Sequence, residues 1–295
     1  MERAELRARM ESFISRLQDE ICTALESEDG SARFREDAWT RAGGGGGRSR
    51  ILEDGDVFEK AGVNTSVVFG TLEPAFAKRL QGEGTEFYAA GISLVLHPQS
   101  PFVPTVHANF RFIVQGSKAW FGGGADLTPY YLFDEDAAHF HRTLKTACDA
   151  SSPSYYPLFK ETCDRYFLIK HRSEARGVGG IFFENLGGPL ETELRLVEDC
   201  GRAFLPAYLP IVQRRKSLSF TPEQRAWQEV RRGRYVEFNL VYDRGTTFGL
   251  ETQGRTESIL MSLPPRVRWV YDQHPEPGSE EARLLDVLRQ PRAWV

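Results

Sequence analysis

Along residues 105–116, TVHANFRFIVQG, polar and apolar side chains take turns. His107, Asn109 and Arg111 fall on one side of a two-residue period, with Ile113. Ala108, Phe110, Phe112 and Val114 fall on the other. That period is the mark of a strand with one face in a core. The run 87–97 repeats it, with Ile92, Leu94 and Leu96 set against Ser93, Val95 and His97. Residues 63–70 and 118–123 also read as strands, and 180–186 as a further one. Elsewhere the spacing is helical. Leu6, Met10, Phe13, Ile14, Leu17 and Ile21 mark an amphipathic N-terminal helix, and 134–149, 155–174, 190–215, 221–232 and 278–289 follow. Residues 234–252 alternate again and predict a hairpin with its turn near Asp243–Gly245. Strands come in runs and helices come in runs. This predicts an α+β fold with an antiparallel sheet rather than a doubly wound parallel one. No stretch has the composition of a domain linker, so the 295 residues read as one domain.

Composition adds exclusions. A net charge of −4 gives no electrostatic reason for a nucleic-acid partner or an anionic membrane. No apolar run has the length of a membrane span. Cys22, Cys148, Cys163 and Cys200 form no C-x-x-C pair, so no zinc knuckle or redox motif is readable. They read as buried free thiols in a reducing compartment. The charged N-terminus lacks a signal-peptide core, and a cytoplasmic protein is expected.

The polar side of the two alternating strands changes the picture. A solvated strand face is usually built from Lys, Glu, Thr and Ser. Here it carries Ser93, His97, His107, Asn109 and Arg111, which suits a lined cavity. Two helical histidines join the inward set. His141 lies on the stripe Phe133, Ala137, Phe140, Leu144, while His139 faces away from it; His171 follows Phe167 by four. His97, His107, His141 and His171 thus have ligand chemistry for a metal, although their spacing matches no compact metal signature.

Three glycine-rich stretches offer further candidates. GGGGGRSR (43–50) is either a flexible linker or an anion-wrapping lid with Arg48 and Arg50. WFGGGADLTP (120–129) sets three glycines against Asp126, which is either a base near the polar face or a turn or cap residue. ETQGRTES (251–258) puts Arg255 in a turn, either gripping a carboxylate or solvated. The sum suggests a ligand with several carboxylates.

Longer motifs carry a resemblance. GGGGGRSR, FEKAGVN, HPQSPFVPTVHANFRF, WFGGGADLTPYY, HRTLK, CDRYFLIKHRSEARGVGGIFFENL, YLPIVQRRK and RRGRYVEFNLVYDRGTTFGLETQGRTESILMSLPP run from about residue 40 almost to the C-terminus. In them the chain resembles the oxygen-dependent coproporphyrinogen III oxidases of haem biosynthesis. The resemblance implies oxidative decarboxylation of two propionates of coproporphyrinogen III to vinyls. Molecular oxygen is then the oxidant, and no organic cofactor takes part. It implies a large flat antiparallel sheet sandwiched between helices, and a homodimer made through about 236–271. It marks Ser93, Asn109, Phe110, Arg111, Gln253, Gly254 and Arg255 as substrate contacts. His107 becomes a proton donor, with Asp126 and Arg111 beside it in catalysis. His97, His107, His141 and His171 become ligands for a divalent cation, with manganese the candidate. At Gln253 the family pattern has a glycine, so this chain departs there. The same residues also suit a histidine-ligated metal oxygenase acting on another polycarboxylate, or a tetrapyrrole-binding carrier without activity.

Overall fold

A computed structural model describes residues 3–252 and 254–295. Helix α1 (Arg3–Asp29) leads into seven strands of one antiparallel sheet. These are β1 (Arg35–Thr40), β2 (Gly45–Glu53), β3 (Phe58–Thr71), β4 (Glu86–Pro98), β5 (Thr105–Gln115), β6 (Lys118–Thr128) and, later in the chain, β9 (Gly179–Leu186). They lie side by side in chain order, the first six as neighbours along the chain and β9 after a long excursion. A short helix α2 (Pro74–Ala77) sits between β3 and β4. Helices α3 (Asp134–Asp149) and α4 (Tyr155–Tyr166), and a small ribbon of β7 (Leu168–Ile169) and β8 (Glu174–Ala175), separate β6 from β9. Then come α5 (Leu190–Arg202), α6 (Phe204–Arg215), α7 (Pro222–Val241), α8 (Arg244–Glu251), α9 (Thr256–Leu260) and α10 (Glu280–Arg289).

The expected alternation sets the layers. Ile92, Leu94, Leu96, Ala108, Phe110, Phe112 and Val114 point into the main core with the buried stripe of α1 and with Phe140, Leu144, Leu194, Val197, Tyr208 and Ile211 of α3, α5 and α6. The opposite face receives α7 and the α8–α9 segment. Tyr235 of α7 meets His97 edge-on, and Met261, just after α9, lies over Gly62 of β3. A Cβ at position 62 would come within 2.4 Å of the Met261 sulfur. Along the β9 edge, α4 stacks Tyr166 on Phe182 and Phe159 on Phe183, covering a border that would otherwise offer unpaired backbone.

Four expectations need correction. Residues 234–252 form no hairpin: α7 runs through to Val241 and α8 begins at Arg244. The aromatic and branched residues of RYVEFNLVY favour strands in isolation. The helix wins because Thr221 and Gln224 form a complete capping box at its start, and nothing breaks the chain before Asp243. The helix expected over 155–174 stops at Tyr166; His171 belongs to a 3-10 turn closed by Ser173 in the left-handed region. The 190–215 helix breaks at Ala203 into α5 and α6. GGGGGRSR is neither linker nor lid. Gly43 lies in the turn, Gly44 and Gly45 take positive φ to complete it, and from Gly46 onward the stretch is β2 paired on both sides.

Candidate functional site

The polar face of the sheet divides in two. In one part, side chains of β2, β3 and β4 tie down residues 258–263. The Ser49 and Ser258 hydroxyls lie 2.8 Å apart. Asn64 Nδ2 donates to the Ser258 carbonyl at 2.8 Å, Lys60 Nζ to Leu263 O at 2.9 Å, and His97 Nε2 to Ser262 O at 2.9 Å. His97 Nδ1 accepts from the Thr105 hydroxyl at 3.0 Å. Burial, then the positive charge of Arg232, hold its imidazole well below the usual range, so it stays neutral.

In the other part, the side chains engage one another and stand partly open. His107 Nδ1 lies 2.8 Å from Asp126 Oδ1, on the directly opposite residue of β6. Arg176, from the segment between β8 and β9, donates to both Asp126 oxygens at 2.8 and 2.7 Å, and to Asn239 Oδ1 of α7 at 2.8 Å. Its guanidinium lies among the rings of Phe167, Tyr235 and Phe238, 4.0 to 5.0 Å from their centroids. Burial would raise the Asp126 pKa, but Arg176 and the His107 hydrogen bond outweigh it and hold the carboxyl below its usual value. A carboxylate can only accept, so Nδ1 of His107 carries a proton, and in the neutral imidazole Nε2 then has the lone pair. Asn109 Nδ2 approaches that lone pair at 3.5 Å. Arg111 donates to Glu184 of β9 at 3.0 Å, and Arg244 at the start of α8 donates to the other Glu184 oxygen at 2.7 Å. Side-chain exposure is 15% for His107, 35% for Arg111 and 2% for Asp126.

Register explains the grouping. Asn64, Ser93, Asn109 and Gly124 stand directly opposite one another across β3 to β6, and Gly91, Arg111 and Gly122 form the next row. Gly122 has no side chain where Arg111 lies; a Cβ there would meet Nε at 2.9 Å. Ser93 is exposed in the middle of this floor.

The family model described as Coproporphyrinogen III oxidase matches residues 9–294. The chain belongs to the coproporphyrinogen III oxidase family. It is 53% identical to the oxygen-dependent coproporphyrinogen-III oxidase, chloroplastic, of Glycine max, across 98% of this chain and 80% of that protein. It is 52% identical to coproporphyrinogen-III oxidase 1, chloroplastic, of Arabidopsis thaliana, across 99% and 80%.

Measured against what the family resemblance implied, the structure brings Ser93, His107, Asn109, Arg111 and Asp126 together. It separates others. Phe110 points into the core at 1% exposure, so its side chain cannot touch a ligand on the polar face. Arg255 pairs with Asp37 of β1, near the far edge of the sheet, with Gly254 in the same turn. Gln253 lies outside the described residues. Asp126, expected as a base, has both oxygens occupied and a lowered pKa, and is better suited to orienting His107 than to accepting a substrate proton.

The four histidines do not converge. His97 serves the 258–263 segment. His141 lies in the helical layer, accepting from Tyr156 OH at Nδ1 (2.9 Å) and donating from Nε2 to Val178 O (3.1 Å). His171 joins Tyr242 and Glu237 at 2.8 and 2.7 Å. Among the described residues no group of three or more His, Cys, Asp or Glu side chains is arranged to hold a metal ion. The expected donor set therefore does not fit a divalent cation, and the chemistry below takes no step through one. Arg176, Asn239, Glu184 and Arg244 were not singled out from the sequence. They are ordinary polar residues 50 or more positions from their partners, and no spacing rule links them.

Proposed function

We propose that oxidation of coproporphyrinogen III takes place at the open half of the polar face, with His107 as the proton-handling residue. One observation carries this reading: the chain Arg176–Asp126–His107 ends in a lone pair on Nε2, on the same strand face as Arg111. The Glycine max relative is named oxygen-dependent, and molecular oxygen is the co-substrate here. For each propionate the balance is R–CH2–CH2–COOH + O2 → R–CH=CH2 + CO2 + H2O2. Carbon dioxide leaves with the carboxyl carbon, the β-carbon loses one hydrogen, and the electron pair reduces oxygen to peroxide. The run is made twice.

The residues divide this work. Arg111, with spare N–H donors beyond its Glu184 contact, suits a propionate. His107 Nε2 can take a pyrrole N–H proton, making the macrocycle electron-rich enough to reduce oxygen. The imidazolium so formed is stabilised by Asp126, which remains ionised because Arg176 holds it so. Ser93 and Asn109 complete the floor beneath the ring. The enzyme's contribution is orientation and charge balance.

Two further parts belong to this reading. A homodimer through about 236–271 is supported by the exposure of Leu240, Val241, Leu250, Trp269, Val270 and Tyr271 in that stretch. A cytoplasmic location is our reading from four free, buried cysteines, which suit a reducing compartment. Among the described residues no helix is long and apolar enough to cross a membrane.

The test is purified protein with coproporphyrinogen III under air, following oxygen uptake and protoporphyrin fluorescence after oxidation. Two oxygens consumed per protoporphyrinogen is the expected result, unchanged by a chelator. Binding without oxygen uptake would make the protein a carrier, and activity lost to the chelator and restored by manganese would return a metal to the site.

A further inference from the structure

On the side of the sheet that faces α7–α9, four buried polar atoms lack any partner, apart from the cluster behind Asp126: Asn64 Oδ1, Asn109 Oδ1, Trp39 Nε1 and Arg255 Nη1. Their identities are fixed by chemistry. Asn64 approaches the Ser258 carbonyl, which only accepts, so its amino group is used there and its oxygen is the free atom. Asn109 approaches the lone pair of His107 Nε2, which leaves its oxygen free in the same way. Two are therefore acceptors and two are donors.

They are not scattered. Asn64 and Asn109 flank Ser93 in a single row across β3, β4 and β5, with backbones about 10 Å apart at ordinary strand spacing. The donors stand toward the β1 edge. Trp39 lies across Gly47 of β2, where a Cβ would come within 2.5 Å of the indole. Arg255 is held by Asp37, two residues before Trp39 on the same face. Acceptors lie near the middle of the sheet and donors near its rim. A buried polar atom without a partner is unfavourable unless something else satisfies it. The matching ligand has N–H groups at its centre and anions at its periphery, as a tetrapyrrole with propionate arms does.

We propose that Asn64 and Trp39 contact the substrate, Asn64 Oδ1 accepting a pyrrole N–H and Trp39 Nε1 donating to a propionate. This rests on the reading of the open half as the substrate site. Arg255 and Asn109 supply the second donor and acceptor, so each end of the pattern has two groups.

Steady-state kinetics on the full chain with coproporphyrinogen III test the assignment. Trp39→Phe keeps an aromatic side chain but loses the N–H together with the five-membered part of the indole; KM should rise about tenfold, the size expected for one hydrogen bond to a charged group, with kcat within about twofold, and an ester comparison separates the lost N–H from the lost bulk. Binding of the aromatic coproporphyrin should weaken equally in Trp39→Phe, whereas its tetramethyl ester should bind both proteins alike. Asn64→Asp keeps an acceptor and loses the donor to Ser258; Asn64→Leu loses both. KM should stay near the wild-type value in Asn64→Asp and rise about tenfold in Asn64→Leu. A wild-type KM for Trp39→Phe, or equal impairment of Asn64→Asp and Asn64→Leu, overturns the proposal, the second outcome leaving Asn64 as no more than an anchor for α9. Absence of wild-type turnover would instead strike the reading of the site itself.

Discussion

His97 and His107 point to the same side of adjacent strands, and the sequence pattern treats them alike. The structure does not. His97 is fully enclosed, with both ring nitrogens spent on Thr105 and on the Ser262 carbonyl. His107 spends one nitrogen on a buried carboxylate, and its other nitrogen meets only the Asn109 amide, at 3.5 Å. The contrast extends to their neighbours: Ser49 and Lys60 hold residues 258–263, while Ser93, Asn109 and Arg111 face an open floor, and Asn64 stands between them with its amino group on Ser258 and its oxygen free. A polar strand face is therefore not one feature. What separates anchor from site is whether every polar atom of the side chain already has its partner in the fold.

The comparison breaks most sharply at His107. His107→Ala should lower kcat by about 10² to 10⁴, the usual weight of a positioned acid–base group, with little change in melting temperature, and oxygen uptake reads it directly. Loss of folding in place of loss of turnover would make His107 an anchor like His97. Next comes Arg176. Arg176→Met leaves Asp126 charged and buried without its cation, which should cost about 3 to 5 kcal/mol in denaturant unfolding and lower turnover as well. Asp126→Ala tests the same line, since near-normal turnover would remove the whole chain behind His107 from the mechanism.

His97→Ala should do the reverse of His107→Ala. It strands the Ser262 carbonyl and leaves the Thr105 hydroxyl with Tyr130 alone, costing about 1 to 3 kcal/mol of stability, and leaves kcat within a few-fold. Near neutral pH the smallest effect is expected from His141, and it grows only on acidification. Burial pushes this imidazole down to about 3 in the folded protein, against about 6.5 unfolded. The unfolded chain then binds the extra proton first as pH falls, so stability is lost between about pH 6.5 and 3 and is unaffected by this group above that window. His141→Asn should flatten that part of a melting-temperature profile; an unchanged slope would assign it to other groups.

Much of this was legible in the pattern of residues. The alternation of 105–116 fixed which side chains share a face, and hence that His107, Asn109 and Arg111 stand together. Glycine-rich β2 was not legible as a strand, because without side chains it has no alternation to read; only pairing with β1 and β3 defines it. The C-terminal part of α7 was misread for the opposite reason. Its side chains alternate convincingly, and the deciding cap lies 13 residues before the misread segment begins at Arg234. Inwardness was readable for His97 and His141 but not for His171, which is exposed because the helix expected to carry it stops at Tyr166; convergence was not readable at all, since His141 is buried in a different layer from the one His107 faces. The ion pairs of Arg176 and Glu184 belong to tertiary structure alone.

Met261 seated on Gly62 has a consequence for the space between sheet and cover. Since 258–263 is moored by hydrogen bonds of fixed length, its clearance is gauged by a missing methyl group at position 62. One added carbon there would press first on the flexible thioether of Met261, and only what that side chain could not yield would lift the roof at that corner, leaving His107 and Arg111 where they stand.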